Sequence, residues 1–382
     1  MKLIERSIEK TVKERLFLGK VIIIYGARQV GKTTLAKKIL DEYPESSRYF
    51  NCELLSVQQS LQDTEASKLK AFFGDYKLIV LDEAHHIPEI GLKLKVLVDT
   101  FPQMQIIATG SSSFDLAQKT AEPLTGRVFR FILYPLSAEE IRKSSDLVSL
   151  NANLEKLLRF GAYPEVYSLP EERARERLNE IGSDYLYKDI LKFDGLKKSS
   201  IIRNLLQLLA LQLGQEVSYN ELATALGINR LTVQKYIDIL EQSFVVFTLR
   251  AFSRNRRKEI SKSVKIYFYD LGIRNSIIQN FNPLSVRDDV GALWENFCII
   301  ERRKLNEVHF RYTNTYFWRT YDQKEVDYVE EAEGAISGFE FKWKPQKRTA
   351  LPKQFIKTYD ASITVIHPEN YWDFVLENTK KD

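Results

Sequence analysis

Between the apolar run Val21–Tyr25 and a helix-forming stretch from Leu35 to Leu40, the chain reads Gly26-Ala27-Arg28-Gln29-Val30-Gly31-Lys32-Thr33-Thr34. The spacing Gly26-x-x-x-x-Gly31-Lys32-Thr33, preceded by a strand and followed by a helix, is that of a phosphate-binding loop, Walker A. Glycines let consecutive backbone N–H groups curl around phosphate oxygens, and the following helix adds the positive end of its dipole. In such a loop Lys32 reaches the β- and γ-phosphates and the Thr33 hydroxyl ligates Mg2+. Residues 26–34 therefore predict a site for ATP or ADP with Mg2+.

A second pattern supports that chemistry. Leu78-Ile-Val-Leu-Asp82-Glu83 is an apolar strand ending in two acids. Asp82 would hold the divalent ion through water or through Thr33, and Glu83 would orient and deprotonate the attacking water. Two acids capping the next helix would read the same way. His85 and His86 are sequence neighbours, which do not share a helix face, so they predict no metal pair. The strand Ile106-Ile-Ala-Thr109-Gly-Ser111 ends in small polar residues, and Ser111 or Thr109 would contact the γ-phosphate or the lytic water. A plain serine turn is the alternative. Leu124-Thr-Gly-Arg127 places an arginine just before the next strand. Arg127 would serve as an arginine finger across a homo-oligomer, or as a surface or buried ion pair.

A third constellation lies beyond residue 285. Leu293-Trp-Glu295-Asn-Phe-Cys-Ile-Ile begins an apolar helix. Strands are expected at Val308–Tyr312 and Tyr316–Arg319, then over Glu325-Val-Asp327-Tyr-Val-Glu330. A turn at Gly334 leads into Ile336-Ser-Gly-Phe-Glu340-Phe-Lys342. A helix near Leu351–Tyr359, a strand Ser362–Ile366 and a last helix near Tyr371–Leu376 follow. Asp327 and Glu340 on neighbouring strands could converge on one Mg2+, and period-2 alternation puts Lys342 on the face of Glu340. Glu295 from the helix would complete or anchor the shell. This order and residue set resembles the PD-(D/E)XK nuclease fold, with Val326 where that motif has proline. A face of ion pairs, Lys342 neutralising Asp327 and Glu340, is the competing reading.

These side chains need a scaffold. With 382 residues and 44% apolar residues, the chain predicts two or three folded domains rather than long disordered tracts. Strands at Val21–Tyr25, Ser47–Asn51, Leu78–Leu81, Gln105–Thr109 and Val128–Leu133 alternate with helices, as in a parallel α/β sheet. From Ser137-x-x-Glu140, a capping box, the pattern is helical to about residue 243. Ser218 to Leu240 reads as a helix-turn-helix with Gly227 at the turn. Phe244–Phe252 and Val264–Tyr269 would be wing strands. Asn229, Arg230, Thr232, Gln234 and Lys235 suit base edges and phosphates, and Arg254–Lys258 suits a DNA backbone, unless the element serves only for packing.

A net charge of +5 permits a nucleic-acid partner. Cys52 and Cys298, far apart and without metal spacing, suit a reducing cytoplasm. Neither a signal peptide nor a membrane span is expected.

The order Walker A, Walker B, polar strand end and pre-strand arginine resembles AAA+ ATPases. Ile107-Ala-Thr-Gly-Ser-Ser-Ser, Leu133-Tyr-Pro-Leu-Ser137, Gly161-Ala-Tyr-Pro-Glu165 and Tyr185-Leu-Tyr-Lys-Asp-Ile190 resemble, more narrowly, a prokaryotic family joining an AAA+ module to a C-terminal domain of uncharacterised function. That resemblance implies a Cdc6/Orc-like or signalling-ATPase-like P-loop core over residues 1–135 and a helical lid over 136–195. It further implies a winged helix over 196–284 and a nuclease-like α/β domain over 285–382. Two functions are compatible with this plan. One is a Mg-dependent ATPase whose nucleotide state drives a winged helix and nuclease-like domain on DNA. The other is a nucleotide-dependent switch that binds a protein partner through a non-catalytic nuclease-like module.

Overall fold

A computed structural model describes residues 3–110, 124–182, 199–253, 264–320, 322–344 and 351–377. The chain forms two compact units. One is made by Lys2–Pro135 with Gln242–Phe244, and the other by Leu136–Glu241 with Val245–Asp382.

The first unit is built on strands β1 (Val21–Tyr25), β2 (Ser47–Asn51), β3 (Leu78–Asp82), β4 (Gln105–Gly110) and β5 (Val128–Ile132), in the order β2-β3-β4-β1-β5. Each neighbouring pair is parallel. Every residue of β1, β3 and β4 is buried, which explains the apolar runs Val21–Ile24, Leu78–Leu81 and Ile106–Ala108 within them: a parallel sheet is covered on both faces and has no solvent side to alternate with. Helices α1 (Ile8–Glu14), α2 (Lys32–Leu40), α3 (Leu55–Ser60), α4 (Ala66–Phe73) and α5 (Ile90–Thr100) accompany the sheet. The register places Tyr25 level with Gly110 and Asn51 level with Asp82. The carboxyl ends of the strands thus share one edge, the place where open α/β sheets bind ligands.

The second unit begins with helix Ala138–Ser144, whose capping box forms as expected. Ser137 Oγ accepts from the Glu140 N–H at 3.1 Å, and Glu140 Oε2 accepts from the Ser137 N–H at 3.0 Å. Short helices follow to Glu180, and Ser199–Leu211 opens the next helical stretch. The two helices Tyr219–Leu226 and Arg230–Gln242 flank Gly227, which sits at φ +63° as the end of the first. The helical stretch also contains a two-residue strand, β6 (Glu216–Val217), with no run long enough to reveal it in sequence.

The expected wing strands are β7 (Val246–Ala251) and β8 (Val264–Phe268), which pair antiparallel. They do not end in solvent. β7 pairs in parallel with β9 (Asn314–Arg319), and β10 (Glu325–Ala332), β11 (Ala335–Phe341) and β12 (Ser362–Ile366) complete a seven-stranded mixed sheet, β12-β11-β10-β9-β7-β8-β6. The separate α/β unit expected from about residue 285 is thus joined to the preceding hairpin by backbone hydrogen bonds. The α-β-β-β-α-β order beyond residue 285 is present. The strand expected at Val308–Tyr312 is a correction: helix Val290–Val308 carries its buried face through Leu305 and Asn306, and the chain turns at Phe310, φ +51°. Residues 185–190, Ser111 and Arg254–Lys258 lie outside the described residues.

Candidate functional sites

In the first unit the chain leaves β1 into residues 26–31, where Gly26, Gln29 and Gly31 take φ of +150°, +62° and +98°. Gly26 is obligatory for space as well as conformation, because a Cβ there would lie 2.2 Å from the Leu133 carbonyl oxygen. Gly31 is the N-cap of α2, so the first N–H groups of that helix open onto the loop. Lys32 is buried, and its Nζ donates to the carbonyls of Gly26 and Ala27 at 2.9 and 2.8 Å, spanning the loop.

The Walker B acids lie beside it. Asp82 accepts from the Thr33 hydroxyl (2.8 Å to Oδ2), the Thr109 hydroxyl (2.5 Å to Oδ1) and the Tyr49 hydroxyl (2.6 Å to Oδ2). Thr109 Oγ1 also accepts from the Glu83 N–H at 3.0 Å. The P-loop threonine, the acid on β3 and the polar end of β4 therefore meet in one hydrogen-bonded group, although the three segments lie far apart in sequence. A hard divalent cation needs one or two carboxylates plus phosphate and water oxygens, and Asp82 with Thr33 fits that requirement.

Glu83 follows in the left-handed region, φ +52°, with its carboxylate 3.3 Å from His85 Nδ1. Burial pushes its carboxyl up, but the His85 ring and the charges of Lys32 and Arg28 outweigh that and hold it at about 2. Glu83 is thus a carboxylate at neutral pH, within the field of the P-loop lysine. The His85 and His86 rings lie 4.2 Å apart, a proximity the 3-10 turn Ala84–His86 permits.

Arg127, at the start of β5, pairs with Asp99 at 2.5 Å, and both side chains are partly exposed. Two contributors were not legible in sequence. Tyr49 enters from β2. Arg6, before α1, donates to the carbonyls of Val30 and Tyr134, tying the end of the phosphate loop to the segment after β5.

In the second unit the four expected residues also come together, with additions. Asp327 lies on β10 and Glu340 on β11, where Tyr328 pairs with Phe339; one step along the register Asp327 is level with Glu340. Lys342 Nζ lies 2.8 Å from Glu340 Oε2 and 3.6 Å from Asp327 Oδ2. Asp327 Oδ2 accepts from the Phe341 N–H at 2.8 Å. Glu295, from helix Val290–Val308, accepts at Oε1 from the Tyr267 hydroxyl (2.5 Å) and from Lys265 Nζ (3.1 Å). Burial, aided by the Asp327 charge, pushes the Glu340 carboxyl up to about 7 despite Lys342. Burial does the same to Glu295, also to about 7, against the opposing pull of Lys265. Lys265 and Tyr267, on one face of β8 by period-2 alternation, were not expected from the sequence.

Among the described residues, the trio whose ligating atoms lie within 4.8 Å of one another is Glu139, His309 and Glu377, not the carboxylates of this cluster. Its His309 bridges Glu139 at Nε2 and Glu377 at Nδ1, the contacts of a ring clamped between two acids. No helix among the described residues is long and apolar enough to cross a membrane.

Comparisons with known proteins agree with this geometry. Residues 18–142 match the family model described as "AAA domain", and residues 151–284 and 290–378 match two described as domains of unknown function, DUF8612 and DUF4143. An uncharacterised protein of Mycobacterium tuberculosis is 29% identical over 352 residues, covering 91% of this chain and 74% of the relative. An uncharacterised protein of Methanocaldococcus jannaschii is 25% identical over 345 residues, covering 85% and 75%. Among solved structures, the RuvB Holliday junction branch migration motor of Thermotoga maritima is similar with a TM-score of 0.34 and 17% identity. It covers 68% of this chain and 95% of that one. The Drosophila ORC–Cdc6 assembly gives 0.26 and 11%, covering 72% and 90%. Likenesses of that degree do not bear on what the chain does. The chain thus carries an AAA domain, with its phosphate loop and acids, over residues 18–142 and a DUF4143 domain over residues 290–378.

Proposed function

We propose that this chain binds ATP with Mg2+ at residues 26–34 and hydrolyses it. The observation that carries the proposal is the convergence of Thr33 and Thr109 on Asp82, with the ionised Glu83 attached to the same threonine. When bound, Mg2+ would neutralise charge developing on the β- and γ-phosphates. Asp82 and Thr33 would hold it, Lys32 would turn from its loop carbonyls to the phosphates, and Glu83 would take the proton of the attacking water. Thr109, whose hydroxyl donates to Asp82 and accepts from the Glu83 N–H, would hold the two residues in register, and Ser111 would contact the γ-phosphate or the lytic water. Arg127 would act as a finger on a neighbouring subunit only by leaving Asp99.

Lys32→Ala should weaken ATP binding about tenfold or more, the loss of charge-assisted contacts worth about 1.5–3 kcal/mol. Titration of a fluorescent ATP analogue measures this, and unchanged affinity would remove residues 26–34 from the site.

The task coupled to the nucleotide is proposed to be action on DNA. Helix Arg230–Gln242 has Arg230, Gln234 and Lys235 exposed, with Asn229 just before it; these are residue types that read bases and grip phosphates. The arrangement of helices Tyr219–Leu226 and Arg230–Gln242 with β6, β7 and β8 supports a winged helix. ATP turnover with and without duplex and single-stranded DNA tests the coupling. A several-fold, salt-sensitive stimulation is expected. The pairing of β7 with β9 favours a second reading, a nucleotide-gated module for a protein partner, because it takes up an edge that a free wing would leave open. Turnover indifferent to DNA would select that reading.

A further inference from the structure

The carboxylate cluster of the second unit has a cation of its own. Lys265 is 3% exposed, and its ammonium is enclosed by Glu295 at 3.1 Å, by an ion pair with Glu325 and by the Phe317 ring, 5.5 Å to the centroid. A buried ammonium persists only where acids surround it, and acids so crowded persist only where a cation lies among them. Here each requirement meets the other. We propose that the Lys265 ammonium, delivered by the β7–β8 hairpin, is the resident cation of the Glu295–Glu325–Asp327–Glu340 cluster, so that the native chain takes no divalent metal there.

Several observations converge on this assignment. Every carboxylate of the cluster is already engaged: Glu295 by Lys265 and Tyr267, Glu325 by Lys265, Asp327 by the Phe341 N–H, and Glu340 by Lys342. Arg319, 3.9 Å from Glu325 and 2.8 Å from Glu216, adds positive charge on the flank. A divalent ion would have to displace these donors while sitting beside two ammonium groups, whose repulsion is strong at low dielectric. The cluster's acids also do not draw three ligating atoms within 4.8 Å of one another. The covalent origin of the cation matters as well. Lys265 pairs with Glu216 and Leu249 through the backbone of β8, so it is fixed by the sheet rather than exchanged with solvent. The raised carboxyl values of Glu295 and Glu340 accord with acids that remain crowded even with Lys265 present. The hairpin thereby locks the helix Val290–Val308 to β10, and the residues that resemble a nuclease centre become a structural knot. This goes beyond the ATP site and does not depend on it.

The test uses the full chain without nucleotide and Mn2+ as the probe, with bound ion counted by electron paramagnetic resonance. Native protein and Asp327→Asn should bind the same number of Mn2+ ions, since any ion held near the phosphate loop is common to both. Lys265→Met, which keeps the buried stem and removes the charge, should gain one Mn2+ per chain. That gain should vanish in the double variant with Asp327→Asn. A native Mn2+ site that Asp327→Asn abolishes would overturn the proposal, and this comparison needs no Lys265 variant to fold. A folded Lys265→Met that gains no ion would overturn it too.

Discussion

Glu83→Gln leaves ATP bound and slows its hydrolysis by roughly 10²–10⁴-fold, the range a positioned general base contributes. The side chain keeps its volume and its backbone N–H to Thr109, so the loop, Asp82 and Thr33 are undisturbed. What is lost is the carboxylate, which in the native chain stays charged at neutral pH because His85, Lys32 and Arg28 offset the effect of burial. The amide cannot take a proton from water. Single-turnover hydrolysis and equilibrium ATP binding, measured on the same preparation, separate the two effects. Turnover at the native rate would take the base role away from Glu83, whereas loss of binding would mean that the substitution had disturbed the loop.

Gly161→Ala unfolds or severely loosens the unit made by residues 136–241 and 245–382. Gly161 ends helix Leu154–Phe160 at φ +70°, ψ −162°, a region essentially reserved for glycine, and its missing Cβ would fall 2.1 Å from Asp270 Oδ1. Asp270 cannot retreat. It is buried, and it accepts from the Ala162 N–H at 2.7 Å and the Ile273 N–H at 3.1 Å. Backbone strain, overpacking and the broken buried hydrogen bonds each cost about 1–3 kcal/mol, together about 3–5 kcal/mol or more. Gly291→Ala is the control. Nothing lies within 4 Å of its Cβ position, its φ is ordinary, and it stands inside helix Val290–Val308, so it should be neutral or stabilising by less than about 1 kcal/mol. Denaturant unfolding followed by circular dichroism compares the two. Equal midpoints would show that the Gly161–Asp270 contact is slack. The contact also accounts for the Gly161-Ala-Tyr-Pro-Glu165 segment: its glycine is demanded by packing, not by chemistry.

Much of the first unit was legible because its information is local. A phosphate loop is a turn whose glycines, lysine and threonine are adjacent in the chain, and a strand covered on both faces is a continuous apolar run. Asp82 and Glu83 could be placed for the same reason, as the end of such a run. The helix-turn-helix was readable from helical spacing around Gly227. The strand expected at Val308–Tyr312 rests on the alternation Val308-His-Phe-Arg-Tyr312, but five residues at a helix end are too few for that alternation to specify a strand.

Adjacency along the chain thus determined the phosphate loop, the acids at the end of β3, the five core strands and the carboxylates of the third constellation. Only the folded chain decided which of these meet and what else joins them. Tyr49 reaches Asp82 because β2 is parallel to β3, and Arg6 reaches Val30 from the segment before α1. Lys265 and Tyr267 reach Glu295 because a hairpin that reads as a wing pairs instead with β9. The physical reason is the same in each case. A side chain's type is written at its own position, but the field it feels comes from strands whose neighbours are chosen by pairing across long sequence separations, and no local pattern records that choice.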